Sequence, residues 1–233
     1  MTAYKGIIFD LDNTLMNYSA CELDAMRRTC RDHGLFIDDE QGWERFWQAY
    51  GEINTRHWIN HVTGGDVKTI GDVLRFSFRD TLQAEEQLHE KLSDTYWRYF
   101  CSIVYFEDGA EELLDYIRDK YKTAIITNGL AEAQYQRLDA GKIRGLFHSV
   151  VVSDEAGVRK PDKAIFELAL SQLGLGPEEV LFVGDSIADD YYGAVNAGID
   201  FCYYNPRGAE LPPDVKPAYV IGHLSEIVEV AGL

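Results

Sequence analysis

KGIIFDLDNTL, residues 5–15, decides how the rest of the chain is read. Three large apolar residues, Ile7, Ile8 and Phe9, run directly into Asp10 and Asp12. A short run that is apolar on both alternations is what a strand buried on both faces of a parallel sheet requires. Asn13 and Thr14 are good turn residues, so the chain is expected to turn just past the acids. Two carboxylates this close repel each other, and they stay ionised only beside positive charge. A divalent cation with a preference for oxygen ligands, Mg2+ above all, is the economical partner.

Five more runs follow the pattern of the first. They are KTAIITNG (122–129), HSVVVSDE (148–155), EVLFVGDS (179–186), DFCYYN (200–205) and, more weakly, AYVIG (218–222). Helical patterns separate them. GAEELLDYIRDKY (109–121) places Ala110, Leu113, Leu114 and Ile117 on one face, and DKAIFELALSQLG (162–174) opens on an acid at a plausible N-cap and closes on glycine. DDYYGAVNAG (189–198) also closes on glycine. This alternation predicts an α/β fold with a doubly wound, mainly parallel, Rossmann-like sheet. Residues 17–103 break the rhythm: they hold only helical stretches and all four tryptophans. The expected organisation is therefore a core of 1–16 and 104–233 and an inserted all-helical domain of 17–103. The insertion leaves the carboxyl end of the first strand, where α/β proteins bind ligands, so it is expected to sit over the acids. NPRGAELPPDVKP (205–217) reads as a surface loop.

Composition narrows the function. Of 233 residues, 22 are Lys or Arg and 39 Asp or Glu, a formal net charge of −17. That balance argues against a nucleic-acid or anionic membrane surface, while a small phosphorylated ligand stays possible where one metal ion and one lysine reverse the local field. The four cysteines, Cys21, Cys30, Cys101 and Cys202, form no CxxC pair and no zinc-like spacing, which is the usage of reduced core residues. No apolar run reaches the length of a membrane span, and the N-terminus has no secretory pattern. A soluble, cytoplasmic protein is expected.

The other strand ends carry chemistry too. IITNG offers the Thr127 hydroxyl followed by Asn128, VRKPD offers Lys160, and FVGDSIADD offers Asp185, with Asp189 and Asp190 four and five residues on. In a parallel sheet these ends share one edge. The order and spacing resembles the haloacid dehalogenase superfamily of phosphohydrolases, with FDLDNT as the first motif, TNG as the second, KP as the third and VGDSIADD as the fourth. TNGLAEAQYQRL and the helical insertion look like the pyrimidine 5′-nucleotidase branch, which acts on nucleoside monophosphates and carries a helical cap at this place.

The resemblance implies a phosphoaspartyl route. Asp10 would be the nucleophile and Asp12 the general acid and base. Asp10 and Asp185 would hold Mg2+ through carboxylates, and Asp12 through its backbone carbonyl. Lys160 would neutralise phosphoryl charge, and Thr127 would hydrogen-bond a phosphoryl oxygen with backbone N–H groups near Leu11, Asp12 and Asn128. Asp190 would orient Lys160 or a metal-bound water, while Asp189 would cap the following helix. A departing halide needs no proton and a departing alkoxide does, so the acid at residue 12 points to phosphate esters. These residues do not separate a hydrolase from a mutase. Sugar or glycerol phosphates are rival substrates, and an inactive ligand-binding protein is the rival class. In the insertion, Trp43, Phe46, Trp47, Tyr50 and Trp58 read as core at helical spacing, with Trp58 the first candidate to stack on a nucleobase. His57 and His61 share a helix face but lack further metal ligands. Gln134 and Arg137 either touch substrate or pin their helix.

Overall fold

The computed structural model describes residues 4–82 and 85–230. The chain divides into two compact units. One runs to Cys21 and resumes at Val104; the other is Glu22–Ile103.

The first unit is built on six parallel strands: β1 (Gly6–Phe9), β2 (Lys122–Thr127), β3 (Ser149–Val152), β4 (Val180–Gly184), β5 (Asp200–Tyr204) and β6 (Tyr219–Ile221). Their spatial order is β3-β2-β1-β4-β5-β6, so the strand bearing the acids lies near the middle. The register pairs Phe9 with Ile125 on one side and with Val183 on the other. All six runs singled out in the sequence are strands.

The double apolar alternation of β1 has its expected cause. Ile7 and Phe9 face one cluster with Leu113, Leu114 and Ile117 of α5 (Ala110–Ile117), and Leu138 of α6 (Ala131–Ala140). Ile8 faces the opposite cluster with Ile165, Phe166 and Ala169 of α8 (Lys163–Leu173) and Ala194 of α9 (Tyr192–Ala197). Each fully buried residue of this size contributes roughly 1.5–3 kcal/mol by leaving water. Short helices α7 (Ser153–Ala156) and α10 (Ile227–Val230) complete this unit. Helix α8 starts and stops as its sequence demands. The Asp162 side chain accepts from the Ala164 N–H at 2.9 Å, and Gly174 ends the helix in the left-handed region at φ 62°.

The chain from 189 to 198 differs from the regular helix expected. Ile187–Tyr191 form a wide π turn, and the α-helix begins only at Tyr192. The Ser186 side chain caps it by accepting from the Asp189 N–H at 3.1 Å. Asp189 is therefore not the cap; its carboxylate accepts from Asn128 Nδ2 at 3.2 Å.

The second unit is helical, with α2 (Glu40–Val62), α3 (Ile70–Leu82), α4 (Glu86–Ser102) and all but the first turn of α1 (Tyr18–Asp32). Its centre is aromatic. Tyr50 of α2 stacks obliquely on Phe46 at 5.6 Å between centroids and on Phe78 of α3 at 4.9 Å, and Phe78 meets Tyr96 of α4 edge-on at 6.4 Å. Among the described residues, no helix is long and apolar enough to cross a membrane, and the four cysteines are buried.

Candidate active site

Backbone geometry brings the four motifs together at the carboxyl edge of the sheet. The Asp10 N–H donates to the Val183 carbonyl at 2.9 Å, which extends the β1–β4 ladder one residue past Phe9. The chain then turns. Asn13 adopts a left-handed φ of 59°, a conformation asparagine tolerates, and its N–H donates to the Met16 carbonyl at 2.7 Å. Thr127 is the last residue of β2, and Asp185 immediately follows β4, so these two ends flank Asp10 on either side.

Lys160 comes from the loop before α8 and is 3% exposed. Its ammonium donates to Asp10 Oδ1 at 2.5 Å and to Asp190 Oδ1 at 2.7 Å. Asn128 holds the lysine's backbone from both sides: its Oδ1 accepts from the Lys160 N–H at 2.9 Å, and its Nδ2 donates to the Lys160 carbonyl at 3.1 Å. The Asn128 side chain is thus a clasp on the lysine loop, a use the motif did not foretell. Asp190 is fully buried. Its Oδ2 accepts from the Ser186 N–H at 2.9 Å, so both carboxylate oxygens are engaged. A Cβ at Gly184 would collide with that carboxylate, which is why the strand ends in glycine.

One carboxylate oxygen from each of Asp10, Asp185 and Asp190 lies within 4.8 Å of the others. The electrostatics are short of positive charge. Burial pushes the Asp10 carboxyl well above its usual range, Lys160 pulls against it, and Asp190 and Asp185 push with it. Burial, then Asp190, raises Asp185 to about 7. Burial opposes the Lys160 charge, but Asp10 and Asp190 outweigh it and hold the lysine protonated. Three carboxylates cluster around one ammonium, which pairs directly with Asp10 and Asp190, and the donors are all oxygen. Such a set fits a hard divalent cation, which would supply the missing charge.

Asp12 stands apart from that cluster. Its Oδ1 accepts from an Arg137 guanidinium nitrogen at 2.5 Å, and its Oδ2 from Gln134 Nε2 at 2.8 Å. Both Asp12 carboxylate oxygens thus have protein donors. Gln134 Nε2 also donates to Thr127 Oγ1 at 2.7 Å. Sequence reasoning left Gln134 and Arg137 undecided, although a signal was present. They share the inward face of α6 with Ala133 and Leu138, and polar groups on a buried face need named partners. Thr14 Oγ1 donates weakly to Asp185 Oδ1 at 3.4 Å.

The residues drawn from the insertion lie in the helical unit. Trp58 is half-buried on α2, 5.8 Å from the His61 ring, and lies outside the chain of buried rings around Tyr50. His57 Nε2 is 2.9 Å from Asp80 Oδ2, and His61 Nδ1 is 3.2 Å from the Val67 carbonyl; the two histidines serve separate partners.

Comparison with known proteins agrees with this arrangement. The family model described as haloacid dehalogenase-like hydrolase matches residues 4–198. The chain belongs to the haloacid dehalogenase-like hydrolases. Among members of that family, pyrimidine 5′-nucleotidase YjjG of Escherichia coli is 31% identical, with 97% of each chain covered. A glyceraldehyde 3-phosphate phosphatase of Methanothermobacter thermautotrophicus is 35% identical over 90% of this chain and 89% of its own. (S)-2-haloacid dehalogenases of two Pseudomonas species are each 26% identical. The solved structure of the haloacid dehalogenase-like protein YfnB of Bacillus subtilis, bound to magnesium, superposes with a TM-score of 0.81 at 26% identity, covering 99% of this chain and 100% of that one.

Proposed function

We propose that this hydrolase is a Mg2+-dependent phosphomonoesterase working through a phosphoaspartyl intermediate, with pyrimidine nucleoside 5′-monophosphates as substrates. The observation that carries the proposal is the buried Lys160 ammonium shared by Asp10 and Asp190, with Asp185 beside them and Asp12 held separately. A binding protein has no need of a nucleophile with a charge-neutralising lysine and, apart from them, a second acid.

The steps follow from these groups. An Asp10 carboxylate oxygen attacks phosphorus as the phosphorus–oxygen ester bond breaks, and Asp12, which takes up a proton from solvent before this step, gives it to the departing alkoxide. Asp12 then takes a proton from water, whose oxygen attacks phosphorus and releases the Asp10 carboxylate with inorganic phosphate. Lys160 meets the negative charge of the transferring phosphoryl oxygens, which is the largest expected electrostatic contribution. Thr127 receives its hydrogen bond from Gln134, so its own hydrogen can go to a phosphoryl oxygen. A Mg2+ ion held by the Asp10 and Asp185 carboxylates and the Asp12 carbonyl would add Lewis-acid neutralisation of the phosphoryl group. Asp190 serves Lys160, since both of its oxygens are already engaged.

Within the family, the acid at residue 12 supports phosphate esters over haloacids, whose leaving group needs no proton. The E. coli relative supports the nucleotide reading. The glyceraldehyde 3-phosphate phosphatase relative supports a second one, a sugar-phosphate phosphatase. The test is phosphate release with Mg2+ from UMP, dUMP and dTMP against a panel of triose, hexose and polyol phosphates. The nucleotides should rank first, and a better rank for the sugar phosphates refutes the nucleotide reading. If wild type and Asp10→Asn are equally inert toward the panel and toward aryl phosphates, the enzyme reading itself is wrong.

A further inference from the structure

We propose that Gln134 and Arg137 are positioning residues for the acid–base step: together they fix the Asp12 carboxylate at a set place beside the Thr127 hydroxyl. This rests on the phosphomonoesterase reading above and adds two residues to it.

The two side chains stand three apart on α6, hence on one face. The same guanidinium nitrogen of Arg137 donates to Asp12 Oδ1 at 2.5 Å and to Gln134 Oε1 at 2.9 Å. The second bond settles which way the Gln134 amide points, because its oxygen must face the guanidinium. Its NH2 then faces the strand ends, and the two hydrogens divide between Asp12 Oδ2 at 2.8 Å and Thr127 Oγ1 at 2.7 Å. One amide nitrogen therefore spaces the acid–base group from the phosphoryl-binding hydroxyl. Arg137 is fully buried and Gln134 is 3% exposed. Burying a guanidinium costs several kcal/mol unless it is well paired. A leucine would pin α6 to the sheet more cheaply. Two donors converging on both oxygens of one catalytic carboxylate do what a packing residue does not: they fix its rotamer. As the ester bond breaks, the proton moves from Asp12 to the leaving oxygen, and its transfer depends on that fixed position.

The test separates positioning from packing by leaving group. Nitrophenolate departs without a proton, whereas an alkoxide needs one. Measured as kcat/KM with Mg2+, Arg137→Met and Gln134→Ala should lose roughly 10- to 100-fold more on an alkyl phosphate such as UMP or glycerol phosphate than on 4-nitrophenyl phosphate, a part of the ~10²–10⁴ available to general acid catalysis. Arg137→Lys should recover part of that selectivity. Partial unfolding lowers both substrates alike, so the ratio survives it. An equal loss on both substrates reduces the pair to packing residues and overturns the proposal. The reading beneath it fails by a different result, a wild-type protein that hydrolyses neither substrate.

Discussion

Replacing Asp185 with asparagine should make the metal-free protein more stable while making it deaf to Mg2+. Burial, joined by the nearby Asp190 carboxylate, holds the Asp185 carboxyl at about 7, against an ordinary value of 3.8. The unfolded chain ionises this group near the lower value and the folded chain near the upper. Between them the folded state binds the extra proton, so stability falls as pH rises and stays depressed above pH 7. The displacement corresponds to roughly 4 kcal/mol at about 1.4 kcal/mol per tenfold change in proton affinity. Solvent reaches part of this half-buried side chain, and screening brings the expectation to about 1–3 kcal/mol. Urea denaturation in EDTA checks it. At pH 8 Asp185→Asn should exceed wild type by that amount; at pH 4, where most of the wild-type carboxyl is protonated in the fold, the gap should nearly close. Mg2+ at about 100 times its Kd should then stabilise wild type by roughly 2.7 kcal/mol and the variant by far less. A variant no more stable than wild type at pH 8 in EDTA, or one that gains as much from Mg2+, refutes the reasoning.

Other perturbations follow from the same geometry. Lys160→Met strips the buried partner from Asp10 and Asp190, and should cost about 3–5 kcal/mol in EDTA at pH 8 by denaturation; a loss below about 1 kcal/mol contradicts the pairing. Asn128→Ala removes both bonds that clasp the Lys160 backbone, so phosphate release should fall about tenfold or more, alongside a loss of roughly 1–3 kcal/mol in stability. Gly184→Ala drives a methyl group into the Asp190 carboxylate, and should cost about 1–3 kcal/mol by urea denaturation while far-UV circular dichroism stays unchanged.

The sheet was legible in the sequence because its strands are buried on both faces: Ile7, Ile8 and Phe9 each had to be apolar whichever way they pointed. The convergence of Asp10 and Asp185 was legible because strand ends of a parallel sheet share an edge; Lys160, counted among the strand ends in the sequence, instead reaches the site from the loop before α8, eight residues past β3. Three things were hidden for physical reasons. Asn128 has a side chain that serves a backbone 32 residues away, and no local pattern encodes a clasp of that kind. The π turn at Ile187–Tyr191 looks helical in its residues, and it is formed by Asp190 turning back toward Ser186 and Lys160. Gln134 and Arg137 have as their partner a carboxylate more than 120 residues away in the chain, and only the docking of α6 beside β1 and β2 identifies it.

The most direct test of the central claim is acid-quenched mass spectrometry of the enzyme during turnover of a phosphomonoester with Mg2+. The phosphoryl group should be found on the peptide that contains Asp10, should be released by hydroxylamine, and should be absent from Asp10→Asn. A phosphoryl group on another residue, or undiminished hydrolysis by Asp10→Asn, would contradict the account.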